Sequence, residues 1–193
     1  MGVGEAEKTD YNRFVNPKEN KYIRSNNLIS NNLIHDVGVE YMGATGISTS
    51  WICDSEITHN EIYNVEYSGM SIGWGWSTFA ENGTGTKNLK ITDNYVHETE
   101  RSYLADGGGI YLLGATGGNK ESYNQLRRNY IENHRQPFGA IYPDEGSTFW
   151  EIADNVIDLR ENGCFDRWLH LWTTSIINNK IHDNYSTTAS ANY

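Results

Sequence analysis

The sequence predicts an all-β fold, a right-handed parallel β-helix of about six coils. Three observations predict it. A short strand-and-turn signature recurs along the chain, a second strand follows it in a constant frame, and Gly, Asn, Ser, Thr and Tyr outweigh the residues that favour helices.

The signature is an aliphatic residue, an Asn three positions on, and a β-branched residue two beyond that. It reads Ile29-Ser-Asn-Asn32-Leu-Ile34-His35, then Ile57-Thr-His-Asn60-Glu-Ile62-Tyr63 and Ile91-Thr-Asp-Asn94-Tyr-Val96-His97. It returns as Leu126-Arg-Arg-Asn129-Tyr-Ile131-Glu132, Ile152-Ala-Asp-Asn155-Val-Ile157-Asp158 and Ile176-Ile-Asn-Asn179-Lys-Ile181-His182. The intervals between these Asn residues are 28, 34, 35, 26 and 24 residues. Such a unit cannot bury its own apolar side, so successive units must stack on a shared core. The spacing is too short for paired helices, and Gly and Asn turns between short β-rich segments suit a parallel solenoid. The six Asn residues are then ladder residues, each amide bonding to the same position one coil away. His35, His97 and His182 fall at one repeat position and read as scaffold. One domain, 1–193, is expected: a polar lead-in over 1–25, repeats over 26–185 and a tail over 186–193.

The second strand carries more information. Gly69-Met70-Ser71-Ile72-Gly73, Gly109-Ile110-Tyr111-Leu112-Leu113, Ala140-Ile141-Tyr142-Pro143-Asp144 and Trp168-Leu169-His170-Leu171-Trp172 superimpose. Strand side chains alternate between faces, which sends Met70, Ile110, Ile141 and Leu169 into the core. It sends Ser71, Tyr111, Tyr142 and His170 outward, with Gly73, Leu113, Asp144 and Trp172 in the next outward column. By the same parity Trp168 is expected outward as well. Gly-rich polar insertions at 79–88 and 114–124 follow two of these strands and read as loops beside the resulting surface.

Acidity and composition exclude several classes of function. A formal charge of -10 and a pI near 5.0 argue against a nucleic-acid partner. No apolar run is long enough to span a membrane, and no signal peptide opens the chain. Cys53 and Cys164 fall about three coils apart, roughly 14 Å by strand spacing, too far for a disulfide. Gly107-Gly108-Gly109 lacks the Lys-Ser/Thr and the helix of a phosphate loop, and no Cys/His cluster has zinc spacing.

What remains is carboxylate chemistry beside aromatics. Asp106 introduces one second strand, while Asp144 and Glu145 end the next. Two acids on neighbouring coils are what acid/base cleavage of a glycosidic bond requires, one protonating the leaving oxygen and the other attacking carbon or activating water. Parity favours Asp144 as the outward member, with Glu145 at the bend. Trp74, Trp76, Tyr111, Tyr142, Trp168, His170 and Trp172 form the candidate binding face, since flat rings suit the apolar faces of sugars. No cofactor is required; calcium on Asp106, Asp144 and Glu145 is the one option that hard oxygen ligands leave open.

The segments Ser68–Trp76, Asp106–Gly114 and Tyr142–Ser147 resemble bacterial β-helical carbohydrate-active proteins, among them glycoside hydrolases of fucosidase, xylosidase and xylanase type. The resemblance runs from about Asn26 to Tyr185. It implies a sugar-cleaving groove with its acids at Asp106 and at Asp144 or Glu145, a carbohydrate partner, and an extracellular or periplasmic location. It leaves the oligomeric state open. Such proteins are usually longer, with an N-terminal cap, so the chain is expected to be a fragment or a minimal member. Two other readings stand beside this one: a polysaccharide lyase acting on a uronate polymer, for which Arg135 and Arg167 are the available basic residues although neither falls on the outward columns, and a glycan-binding module without catalysis.

Overall fold

A computed structural model describes residues 2–3, 23–79, 83–160, 167–174 and 176–192. Among these the ordered elements are β-strands and one short 3-10 stretch, Trp76–Phe79. After β1 (Gly2–Val3) the strands follow coil by coil. The first coil holds β2 (Arg24–Ser25), β3 (Leu28–Ser30), β4 (Leu33–Val37) and β5 (Ile47–Thr49). The second holds β6 (Ile52–Thr58), β7 (Glu61–Val65) and β8 (Met70–Gly73), and the third β9 (Lys87–Thr92), β10 (Tyr95–Thr99) and β11 (Gly108–Leu113). The fourth holds β12 (Asn124–Arg127), β13 (Tyr130–His134) and β14 (Gly139–Pro143), and the fifth β15 (Trp150–Ala153), β16 (Val156–Asp158) and β17 (Leu169–His170). The sixth is β18 (Lys180–His182), β19 (Tyr185–Ser186) and β20 (Ala191–Asn192).

Equivalent strands pair in parallel and form three sheets, so the all-β solenoid expected from the repeats is the fold observed. Each sheet sends one apolar column inward. Ile29, Ile57, Ile91, Leu126, Ile152 and Ile181 stack in register on the first sheet. Ile34, Ile62, Val96, Ile131 and Ile157 stack on the second. Ile47, Met70, Ile110, Ile141 and Leu169 stack on the third. Nearly all of these are buried in one continuous core. At about 1.5–3 kcal/mol for each such side chain buried, the columns rather than any local propensity hold the coils together.

The turn between the first and second strands of a coil needs one residue in the left-handed region. Asn31, His59, Asp93, Arg128, Asp154 and Asp183 supply it, with φ of 55, 54, 58, 54, 56 and 53°. The ladder Asn follows each of them. Asn32 Nδ2 donates to Asn60 Oδ1 at 2.8 Å, Asn60 to Asn94 at 2.9 Å, Asn94 to Asn129 at 2.9 Å and Asn129 to Asn155 at 3.0 Å. The sixth rung is Asn184, to which Asn155 donates at 2.9 Å, and not Asn179. Pairing of Ile152 with Ile181 and of Ala153 with His182 puts the last signature five residues later than the sequence reading placed it. Asn179 instead serves the start of the strand, its Oδ1 accepting from the Trp150 N–H at 2.8 Å. His182 consequently leaves the column assigned to it. His35 and His97 do share one, in register with Tyr63 and stacked on its ring at 5.1 and 4.9 Å between centroids.

Paired strands lie outside the expected repeat bounds at both ends. Arg24–Ser25 pairs with Ile52–Cys53, Gly2–Val3 with Ser48–Thr49, and Ala191–Asn192 with Leu169–His170. The two insertions touch, Thr84 Oγ1 donating to the Ala115 carbonyl at 2.8 Å, and the second continues to the next coil, Thr116 Oγ1 donating to the Thr148 carbonyl at 2.6 Å. Cys53 is a half-buried free thiol whose pKa burial pushes up to about 11; Cys164 lies outside the described residues. No helix among the described residues is long and apolar enough to cross a membrane.

Candidate active site

The third sheet brings the predicted carboxylates together. Asp106 sits in the segment that leads into β11, at a φ of 69°, and Asp144 follows directly on β14. Tyr111 pairs with Tyr142 across the two strands, as the strand superposition predicted. Each tyrosine then reaches the acid of the other coil. Tyr111 Oη donates to Asp144 Oδ2 at 2.5 Å, and Tyr142 Oη donates to Asp106 Oδ1 at 3.0 Å. The rings meet edge to face, with centroids 5.2 Å apart. Both phenols are held well above their ordinary pKa, first by burial and then by the neighbouring carboxylates, so they remain donors.

The two acids differ in surroundings. Asp144 is 5% exposed and its Oδ1 has no hydrogen-bond partner, whereas Asp106 is exposed. Burial raises the Asp144 carboxyl above its ordinary value; the Tyr111 hydroxyl and the Glu145 backbone N–H oppose this, and the charges of Asp106 and Glu145 add to it. Glu145 is tied elsewhere: its Oε2 accepts from Ser77 Oγ at 3.0 Å, and its carbonyl accepts from the Gly114 N–H. The outward acid beside Tyr111 is therefore Asp144.

A third acid completes the cluster. Glu100 is fully buried at the end of the β10 coil segment, with Oε1 accepting from Ser68 Oγ at 3.3 Å and Oε2 unpartnered. Burial pushes its pKa up to about 8, with the Ser68 hydroxyl pulling it back and the Asp106 charge adding to the rise. The glycine triplet finds its reason here. A Cβ on Gly107 would run into Glu100 Oε1 and Ser68 Oγ, and one on Gly109 would lie 2.8 Å from Ile131 Cγ2. The Tyr67 hydroxyl holds the Asp106 carbonyl at 2.7 Å from the other side. Sequence reasoning missed Glu100 because nothing in the run His97-Glu98-Thr99-Glu100 says which acid turns inward. The only signal was indirect, namely that three consecutive glycines must be packed against something.

The aromatic face divides into two groups. Phe138, Tyr142, His170 and Trp172 form one cluster, with Phe138 stacked on Tyr142 at 5.5 Å and His170 stacked on Trp172 at 5.5 Å. Trp172 is 51% exposed, so it offers a ring face to a ligand. Phe138 was missed because it precedes the strand from which the alignment was read. Trp74 and Trp76 form the other group, 4.9 Å apart, on the segment tied to Glu145 through Ser77. Trp168 is a correction. It aligns with Gly69, Gly109 and Ala140, an inward corner position where parity breaks, and it packs against the core. Its ring borders a small hollow with Ile181, His182, Asp183 and Asn184.

His170 sits over Gly139, and its Nδ1 lies 2.7 Å from Arg167 Nη1. Its Nε2 is buried without a partner. Burial, followed by the Arg167 charge, lowers its pKa, against the pull of Asp106. Among the described residues no group of three His, Cys, Asp or Glu side chains is placed to hold a metal ion.

Comparison with known proteins shows the fold. No protein-family model matches the chain, and no curated protein matches it. A solved structure described as a glycoside hydrolase superimposes with a TM-score of 0.70 at 24% sequence identity. The alignment covers 96% of this chain and 29% of that one, so the chain spans less than a third of the neighbour's length. The likeness shows that the two chains share this fold over the aligned part.

Proposed function

We propose that this β-helix cleaves a glycosidic bond, with Asp144 as the general acid and Asp106 as the nucleophile or the base that activates water. The observation that carries this reading is the crossed pair of bonds from Tyr111 to Asp144 and from Tyr142 to Asp106 on adjacent coils. One carboxyl is buried and pushed toward its protonated form, while the other is exposed and hydrogen-bonded, which is the division of labour that glycoside cleavage needs. A proton moves from Asp144 to the leaving oxygen as the C–O bond breaks. The electron-deficient anomeric carbon is met by Asp106 or by a water that Asp106 deprotonates. Trp172, Phe138 and the Trp74–Trp76 pair would hold the sugar rings on either side of the acids. A location outside the cytoplasm and a polysaccharide substrate belong to the same proposal.

The test uses aryl glycosides with good and poor leaving groups. Asp144→Asn is expected to lower kcat on poor leaving groups by roughly 10²- to 10⁴-fold, the usual contribution of a general acid. It should spare dinitrophenyl glycosides, which depart without a proton. Asp106→Asn should abolish turnover of both. Parent-level activity in both variants would overturn the assignment. An unsaturated sugar product would mark a lyase instead, and glycan binding without any turnover would mark a binding module.

A further inference from the structure

One outward column of the third sheet runs Ser68, Gly108, Gly139 and Arg167. After two positions with no side chain, Arg167 is the first long one, and it lies beside His170. A guanidinium has five N–H donors and no acceptor. Its contact with His170 Nδ1 therefore makes that nitrogen the acceptor and places the ring proton on Nε2. This Nε2–H is buried and lacks a partner, an arrangement that costs free energy until an acceptor meets it. Among the described residues, one guanidinium donor of Arg167 is engaged, by the ring.

Four other arginines, Arg127, Arg128, Arg135 and Arg160, each face a carboxylate. No carboxylate among the described residues pairs with Arg167. A half-buried guanidinium and an orphaned N–H thus adjoin an aromatic cluster, in a site whose buried acids, Glu100 and Asp144, are both pushed toward their neutral forms. The lowered pKa of His170 keeps its ring a neutral donor. The forked guanidinium matches two oxygens of one planar or tetrahedral anion, and the imidazole adds a third donor.

We propose that Arg167 and His170 form a binding site for an anionic substituent of a sugar, a carboxylate or a sulfate ester, at the coil-five end of the groove. The identity of the ligand as a saccharide rests on the glycoside-cleaving reading above. The test is a binding measurement, so it does not depend on turnover. Glucuronoxylan fragments paired with their carboxyl-reduced forms, and sulfated fucan fragments paired with their desulfated forms, are titrated calorimetrically into the Asp144→Asn protein. At least one anionic member should bind about tenfold more tightly than its neutral partner, roughly 1.4 kcal/mol. The pair that shows the preference tells carboxylate from sulfate. Arg167→Gln should bring that ratio to within about twofold, while Arg167→Lys, which keeps the charge and loses the fork, should fall between. No distinction in any pair, or a preference that survives Arg167→Gln, would overturn the site. Turnover by the parent and its loss in Asp106→Asn report on the cleavage reading alone, so either proposal can fail without the other.

Discussion

Aspartate and glutamate side chains meet three different fates in one site here, and their surroundings alone separate them. Asp106 is exposed, Asp144 is buried with one hydroxyl donor, and Glu100 is buried with a single weak one. Glu100 has consequences for the stability of the site. Its pKa rises from 4.5 to about 8 on folding, so between those values the folded chain keeps a proton that the unfolded chain releases. Stability that is present below pH 4.5 is then lost as the pH rises through 8, with a slope of at most about 1.4 kcal/mol per pH unit. Glu100→Gln keeps the shape and removes the titration. Its urea midpoint should change less between pH 5 and pH 8 than that of the parent, and it should exceed the parent's most at the upper end. Parallel pH profiles for the two proteins would mean that Glu100 is already ionised in the fold. Ionisation at that position would place a second negative charge beside Asp106, under the glycine triplet that carries it.

At the level of the element, the Asn ladder shows what each rung contributes. Asn94 Oδ1 accepts both the Asn60 backbone N–H and the Asn60 side-chain N–H, and Asn94 Nδ2 donates to Asn129 and to the carbonyls of Ile57 and Thr92. Asn94→Ala leaves buried donors without acceptors in the second coil, at about 1–3 kcal/mol for each group orphaned. We expect a loss of roughly 2–4 kcal/mol in chemical denaturation, against a much smaller loss for Asn179→Ala, which breaks no side-chain rung. Equal losses would show that the ladder contributes no more than a strand cap. The same comparison explains what the sequence disclosed. Parallel pairing and the register of Tyr111 on Tyr142 were legible because a period of two and a repeated Asn both follow from backbone geometry. Asn179 was mistaken for Asn184 because Ile-x-x-Asn occurs twice within one coil, and only pairing to the previous coil decides between them. Trp168 was misplaced because alternation fails at a corner, where two successive residues turn inward. Glu100 was not readable as a site residue, and Arg167 was named only as an available base off the outward columns, since their places depend on neighbours contributed by other coils.

Over the whole molecule, a stack of coils behaves as a chain of nearest-neighbour interfaces, so stability should fall from the middle toward the ends. The candidate site spans coils two to five: Trp74 and Trp76, then Asp106 and Tyr111, then Tyr142 and Asp144, then His170 and Trp172. Its last part leans on coil six through the pairing of Leu169–His170 with Ala191–Asn192 and the Trp168 N–H to the Ser190 carbonyl. Loosening coil six therefore reaches His170 before it reaches the carboxylates. Ile181 packs at the partly buried end of the first apolar column, whereas Ile131 is fully buried in the middle of the second. Ile181→Ala is expected to speed amide exchange across β17 to β20 by at least about tenfold, the equivalent of 1.4 kcal/mol, while leaving β11 and β14 unchanged. Ile131→Ala, with a cavity cost of about 2–5 kcal/mol, should instead speed exchange in every coil. Uniform acceleration by both variants would mean that the solenoid opens only as one unit. Acceleration confined to coil six by Ile181→Ala would mean that the Arg167–His170 end of the groove can loosen while Asp106 and Asp144 stay crossed, so recognition of the substrate's far end and chemistry at the cleaved bond are carried by parts of different stability.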